Sequence, residues 1–111
     1  MTETMIQAKF YLHDKTYFGF AITGHAEYAE PGEDILCAAV SALAINTVNS
    51  IETLTKDRLI VEEKDGFLRA KILGKVSDAG STLFKSLRIG LCKIYEEYGD
   101  EYIRIFFKEV S

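Results

Sequence analysis

Hydrophobic and polar residues alternate over the first part of the chain. From Met5 to Leu12 every second residue is apolar. A short polar segment follows, in which Asp14 suits a turn, and the alternation resumes from Tyr17 to Thr23. Alternation with a period of two is typical of a strand that buries one face. The N-terminal part of the chain therefore predicts a β-hairpin.

Two longer segments carry the pattern of helices. From Ile35 to about Leu54 the chain is rich in alanine and apolar nearly all round in its first half, which indicates a buried helix. From Ser77 to Tyr98 apolar residues recur every three or four positions, and Gly99 is placed to stop the helix. We expect the first helix to be the more deeply buried and the second to be amphipathic.

Three further strand patterns complete the fold prediction. Residues 58–73 alternate on both sides of Asp65-Gly66, a pair that favours a tight hairpin turn, and residues 101–110 give a fifth strand. The order ββαββαβ predicts an α+β two-layer sandwich, with a five-stranded mixed sheet and two helices on one face. With 111 residues the chain has enough material for one core, so a single domain over 1–111 is expected.

The composition of the chain argues against nucleic-acid and membrane partners. The formal net charge of −4 argues against a general binder of nucleic-acid backbone, which needs clustered Lys and Arg. The N-terminal sequence has no readable signal or transit pattern, and no apolar run approaches the roughly 18 residues of a membrane span. These features predict a cytoplasmic protein with no membrane partner and no direct nucleic-acid partner, in which Cys37 and Cys92 are thiols.

A candidate site lies in the stretch GHAEYAEPGEDILCAAVS, residues 24–41, which joins the second strand to the first helix. Asp34 precedes the predicted helix as a good N-cap, and Cys37 falls at about its third position, where the helix dipole stabilises a thiolate. His25 stands at the strand end, from which the loop can fold back toward Cys37. The imidazole could then act as base for the thiol, and N–H groups of the first helical turn, including that of Cys37, could hold an oxyanion.

Each of these residues also has an ordinary structural interpretation. A cysteine without a disulfide often packs as a small apolar residue, and a histidine beside glycine is often a turn residue. The preferred interpretation of Asp34 is a helix cap. Ser41 either lines the site or donates its hydroxyl hydrogen to the Cys37 carbonyl one turn earlier. The His and Cys positions lack metal-ligand spacing and no phosphate-binding or dinucleotide motif is present, so we expect neither a metal nor a cofactor.

The motif Gly-His-Ala, followed by Gly-x-Asp-x-x-Cys-Ala-x-x-Ser, resembles the ribosomal-processing cysteine protease family, and the resemblance covers essentially the whole chain. It implies a cytoplasmic, homodimeric endopeptidase that removes an N-terminal extension from large-subunit ribosomal protein twenty-seven during ribosome maturation. By motif position His25 is the base and Cys37 the nucleophile, while Asp34 and Ser41 match supporting polar positions. No third member of a triad is placed, so a dyad is expected.

Two other functions are compatible with the sequence. A non-catalytic ribosome-associated module would bind the peptide and leave it uncut, and a thiol redox sensor would oxidise Cys37, with Cys92 as its partner. Two features of the sequence agree with the protease. The loop is acidic, which suits a basic ribosomal protein, and the apolar segment Ile35–Ile45 leaves surface for a second copy of the chain. The acidic residues of the loop are Glu27, Glu30, Glu33 and Asp34.

Overall fold

The computed structural model describes residues 5–24 and 33–111, which form strands and helices in the predicted order. The predicted α+β two-layer sandwich with a five-stranded mixed sheet is confirmed. Its elements are β1 (Ile6–His13), β2 (Thr16–Thr23), α1 (Glu33–Leu54), β3 (Arg58–Lys64), β4 (Phe67–Leu73), α2 (Asp78–Tyr98) and β5 (Ile103–Glu109).

The five strands lie in the order β3-β4-β2-β1-β5. The pairs β1–β2, β2–β4 and β3–β4 are antiparallel, and β1 pairs with β5 in parallel. The parallel pair arises because α2 carries the chain back across the sheet before β5 is added beside β1. In this strand order β2 is the central strand, and its C-terminal end leads to the candidate site.

One hydrophobic core joins both helices to one face of the sheet. Phe20 of β2 and Phe84 of α2 meet there with ring centroids 6.0 Å apart in an edge-to-face arrangement. Each large side chain withdrawn from water stabilises the fold by roughly 1.5–3 kcal/mol. The largest fully buried side chains are Phe10, Phe20, Phe84, Ile6, Ile22, Ile51, Leu91, Ile103 and Val40.

Helix α1 is apolar on more than its core face. Leu36 and Val40 are buried, whereas Ile35 is 68% exposed. By length and composition alone, Ile35–Leu54 meets the criteria for a membrane-spanning helix. One such helix is weak evidence for a membrane span, because the core helix of a soluble protein meets the same criterion. In this fold α1 supplies several of the core side chains.

Helix α2 has a cap at each end. The Ser77 hydroxyl accepts from the Gly80 N–H at 3.0 Å and donates to the Asp57 carboxylate at 2.7 Å. This network ties the start of α2 to the connection between α1 and β3. At the other end Gly99 has φ 90° and donates its N–H to the Tyr95 carbonyl, so the helix stop predicted at Gly99 is confirmed.

The turn between β1 and β2 also holds the C-terminal residues. Asp14 and Lys15 both have positive φ, 49° and 69°, as a two-residue hairpin turn requires. His13 Nδ1 lies 2.8 Å from the Val110 carbonyl oxygen. This hydrogen bond, together with the neighbouring Asp14 carboxylate, raises the pKa of His13 above its ordinary value. The contact fastens the end of the chain to the end of the hairpin opposite the candidate site.

Candidate active site

The strand that leads to His25 is held firmly at its end. Thr23 lies between β1 and β4, in register with residues of both. Gly24, the next residue, donates its N–H to the Gly66 carbonyl oxygen at 3.0 Å. The backbone that precedes His25 is therefore anchored to the turn of the second hairpin.

Gly24 is a position where the backbone requires glycine. Its φ is +89°, in the region that side chains rarely adopt, and an added Cβ would lie 2.2 Å from the Met5 carbonyl oxygen. The close approach to Met5 is thus possible because Gly24 has no side chain. This explains in physical terms the glycine that opens the Gly-His-Ala motif.

His25 lies outside the described residues, and so do Glu27 and Glu30 of the acidic loop. The predicted contact between His25 and Cys37 stays a prediction.

Helix α1 begins at Glu33, two residues before the predicted start at Ile35. Asp34 therefore lies within the first turn and does not precede the helix, and Cys37 is the fifth helical residue instead of about the third. The Cys37 N–H then donates within the helix, so the unpaired N–H groups available to an oxyanion are those of the preceding residues. The helix dipole still favours a thiolate at Cys37, but less strongly than in the first turn.

The Cys37 side chain is half-buried and packs against the core. It forms no disulfide with Cys92, which is half-buried on α2. A half-buried thiol at the edge of the core is restricted in position while part of its surface stays accessible, as a nucleophile requires.

Ser41 lies one turn after Cys37 and lines a cleft of about 210 Å³ between α1 and the sheet. Ile22 of β2 forms part of the opposite wall, two residues before Gly24. The structure thus brings the C-terminal end of β2 and the third and fourth turns of α1 to one cleft. The residues that line it are Ile22, Ser41, Ala44, Ile45, Glu63 and Leu68.

Most of the cleft was not predictable from motif spacing. Glu63 and Leu68 come from β3 and β4 and reach the cleft because those strands pair in register with each other. Their only sequence signal is that they share the core-facing side of the second hairpin. Glu63 adds an exposed carboxylate to an otherwise largely apolar cleft, which therefore suits an apolar side chain next to a positive charge.

Among residues 5–24 and 35–111, no group of three or more His, Cys, Asp or Glu side chains is arranged to hold a metal ion. The chemistry that this part of the site offers is that of a thiol one helical turn before Ser41, which lines the cleft.

The fold and the cleft define a class: small two-layer α+β proteins whose site is built on a cysteine near the start of the core helix. Residues 5–104 match the model of the family Cysteine protease Prp. The ribosomal processing cysteine protease Prp of Staphylococcus aureus is 32% identical over 87 residues, which cover 77% of this chain and 81% of that protein. This chain therefore belongs to the Prp family, as the motif resemblance predicted, and is a cysteine protease.

Solved structures agree with this family assignment. Crystal structures of S. aureus Prp in complex with a substrate peptide and with a covalently linked product peptide match with TM-scores of 0.85 and 0.83, at 29% and 30% identity. Each match covers 94% of this chain and 100% of the other. A Streptococcus mutans protein matches with a TM-score of 0.80 and 32% identity, covering 96% of this chain and 99% of its own.

Proposed function

We propose that this protease removes the N-terminal extension of large-subunit ribosomal protein twenty-seven during ribosome maturation, using a dyad of Cys37 and His25. The main support for the proposal is that Cys37 lies on α1 one turn before Ser41, which lines a cleft together with Ile22 of β2, the strand that precedes His25 in the sequence. Membership of the Prp family supports it. So does the S. aureus relative, a ribosomal processing protease that forms complexes with a substrate peptide and with a covalently linked product peptide.

The proposed reaction has two halves. His25 takes the proton from Cys37 Sγ, and the thiolate attacks the carbonyl carbon at the end of the extension. His25 then gives the proton to the nitrogen as the C–N bond breaks, which releases the mature protein with a new N-terminal amine and leaves the extension as a thioester on Cys37. Water, deprotonated by His25, hydrolyses the thioester and releases the extension as a carboxylic acid.

The start of α1 would stabilise the charged states. Unpaired N–H groups before Cys37 can donate to the oxyanion that forms when the carbonyl is attacked. Asp34 and Ser41 keep their proposed supporting roles, Asp34 in the first turn and Ser41 in the wall of the cleft. The Glu63 carboxylate would attract basic residues of a ribosomal-protein substrate.

Mass spectrometry of the reaction products tests this function. The purified protein is incubated with the extended ribosomal protein, and we expect one cut that yields the mature protein and the intact extension. A substrate that stays whole would overturn this choice of substrate and favour the non-catalytic peptide-binding alternative. The same incubation with a cysteine alkylating agent present serves as the control and should give no cut.

We also propose that the protein is a homodimer. Exposed apolar residues follow one side of α1 at three- and four-residue spacing, namely Ile35, Ala38, Ala39, Ala42 and Ile45. Covering this stripe with the same stripe of a second copy would remove it from water through a self-complementary interface. Sedimentation equilibrium should give twice the chain mass of 12.5 kDa, and the monomer mass at micromolar concentration would contradict the proposal.

The cytoplasm is the compartment that we propose for the reaction. A catalytic thiol stays reduced there, and Cys37 and Cys92 are thiols in this structure. Cell fractionation followed by detection with an antibody should recover the protein in the cytoplasmic fraction. Recovery in a membrane or extracellular fraction would contradict this location.

A further inference from the structure

The face of the sheet opposite the helices is strongly basic. Among the described strand residues, this open face carries seven of the 13 Lys and Arg of the chain but one of the 17 Asp and Glu, Glu62. The cations come from four of the five strands, so they are spread across the sheet. They are Lys9, Arg58, Lys64, Arg69, Lys71, Arg104 and Lys108.

Part of this charge is balanced within the face. Arg69 forms an ion pair with Glu62 across the β3–β4 pair, and Lys64 lies 4.0 Å from the same carboxylate. Among the described strand residues, Glu62 is the one acidic residue on the open face. The other cations of that face therefore have no neighbouring carboxylate on it. The open face therefore keeps a net positive charge in a chain whose total charge is negative.

The middle of the open face is β2, whose residues on that face, Gly19 and Ala21, are small and buried. Lys71 of β4 crosses Gly19 and places its Nζ 5.4 Å from the centroid of the Tyr11 ring on β1. A Cβ on Gly19 would lie 2.7 Å from the Ala70 carbonyl oxygen and 2.8 Å from Lys71 Cγ, so this position of Lys71 depends on glycine at residue 19.

Aromatic rings lie among the cations. Tyr11 packs against Phe18 with ring centroids 6.0 Å apart, and Arg69 covers Phe67. Phe106 of β5 is 40% exposed and lies beside Lys9 in the register of the sheet. Basic side chains that hold phosphates, next to rings on which unpaired bases stack, are the means by which sheet surfaces bind single-stranded nucleic acid.

We propose that the open face binds single-stranded RNA. The cations contact the phosphates across the open face, and Tyr11 and Phe106 provide stacking surfaces for bases, which a duplex would not expose. The choice of RNA over DNA rests on the proposed function, since a protease of ribosome maturation works where RNA is present. The net charge of −4 predicts no general nucleic-acid binder, but that total averages over the molecule and does not describe this face.

Fluorescence anisotropy with a labelled single-stranded RNA of about twelve nucleotides tests the proposal. The test variant carries Lys9→Glu and Lys108→Glu on the open face. Its matched control carries Lys56→Glu and Lys85→Glu, two exposed residues outside the sheet, with the same change in net charge. We expect the affinity of the test variant for RNA to be lower by about tenfold or more. The slope of the logarithm of the binding constant against the logarithm of the salt concentration should become less steep by about 1.4, because two phosphate contacts are lost.

A second variant, Phe106→Leu, keeps an apolar side chain and removes the aromatic ring. We expect a loss of affinity of about fivefold or more, from one lost stacking contact. The proposal is supported if both face variants lose affinity while the Lys56/Lys85 control and the Cys37→Ala variant bind like the wild type. Because Cys37→Ala removes proteolysis, RNA binding and the proposed function can fail separately.

Four results would overturn the proposal. The wild type could fail to bind the RNA, or the face variants could bind as tightly as their control. Tighter binding to phosphatidylserine vesicles than to RNA would assign the face to a membrane surface. Dissociation of an oligomer by the face variant, without RNA binding by the wild type, would assign it to a second copy of the chain.

Discussion

Cys37→Ala is expected to abolish cleavage of the extended ribosomal protein and to leave the fold intact. Removing the attacking atom of a covalent protease lowers kcat by roughly 10⁴- to 10⁶-fold. Cys37 is only half-buried at the edge of the core, so the free energy of unfolding should fall by about 1 kcal/mol or less. Product formation is measured by mass spectrometry and stability by urea unfolding.

The chain offers a matched control for this variant in Cys92→Ala, which removes the other half-buried thiol. Cys92 lies on α2 and has no proposed role in the reaction, so full activity is expected. Full cleavage by Cys37→Ala would sink the assignment of the nucleophile. Loss of activity in Cys92→Ala, restored by a reducing agent, would instead favour the redox-sensor alternative.

His25→Ala should lose most of its activity at neutral pH and recover part of it as the pH rises. Without the imidazole, Cys37 must lose its proton to the solvent, so the thiolate fraction and with it the rate should rise with pH. The kcat/KM of the variant is measured from about pH 6 to about 9.5, a range that includes the pKa of a free thiol. Wild-type activity of His25→Ala at pH 7 would exclude His25 as the base.

Gly24→Ala is expected to lower both stability and activity more than a glycine replacement elsewhere. Gly74 also has positive φ, +76°, but a Cβ there meets nothing within 4 Å, so Gly74→Ala reports the backbone strain alone, about 1 kcal/mol. At Gly24 the same strain is joined by a clash with the Met5 carbonyl, which adds about 1–3 kcal/mol. The difference between the two variants in urea unfolding isolates the clash.

The activity of Gly24→Ala has a separate physical cause. Relieving the clash moves the strand end away from Met5 and would displace the next residue, the proposed base His25. A displacement of a catalytic group by about 1 Å can lower the rate by about 10²-fold. We therefore expect kcat to fall in Gly24→Ala and to be unchanged in Gly74→Ala, under conditions where both proteins are folded. Equal losses of stability in the two variants would contradict the anchoring role of Gly24.

Local patterns predicted the elements of this fold because each element carries its own periodicity. The alternation around Phe20 and the three- and four-residue spacing around Phe84 reflect burial on the two sides of one core. The strand order was not predictable, because it depends on which distant strands pair. The predicted start of α1 was two residues too late, because the boundary of a helix depends on the loop that precedes it.

The candidate site was predictable where one continuous motif supplies it. Cys37 and Ser41 share a helix, so their spacing alone placed them one turn apart. Glu63 and Leu68 enter the cleft through the pairing of β3 with β4, which no local pattern encodes. The basic open face was hidden for a related reason. Its cations alternate with apolar residues along the strands, and only the register of the sheet brings them together.

The proposed mechanism requires Cys37 to form a covalent bond to the end of the extension. The most direct test is to mix the protease with excess extended substrate, stop the reaction with acid during the first turnovers, and measure the mass of the Cys37-containing fragment. We predict a fraction heavier by the mass of the released extension less one water, as expected for a thioester, and no such increment on Cys92. Accumulation of cleaved product while Cys37 stays unmodified throughout the time course, or an increment on another residue, would contradict the proposed mechanism.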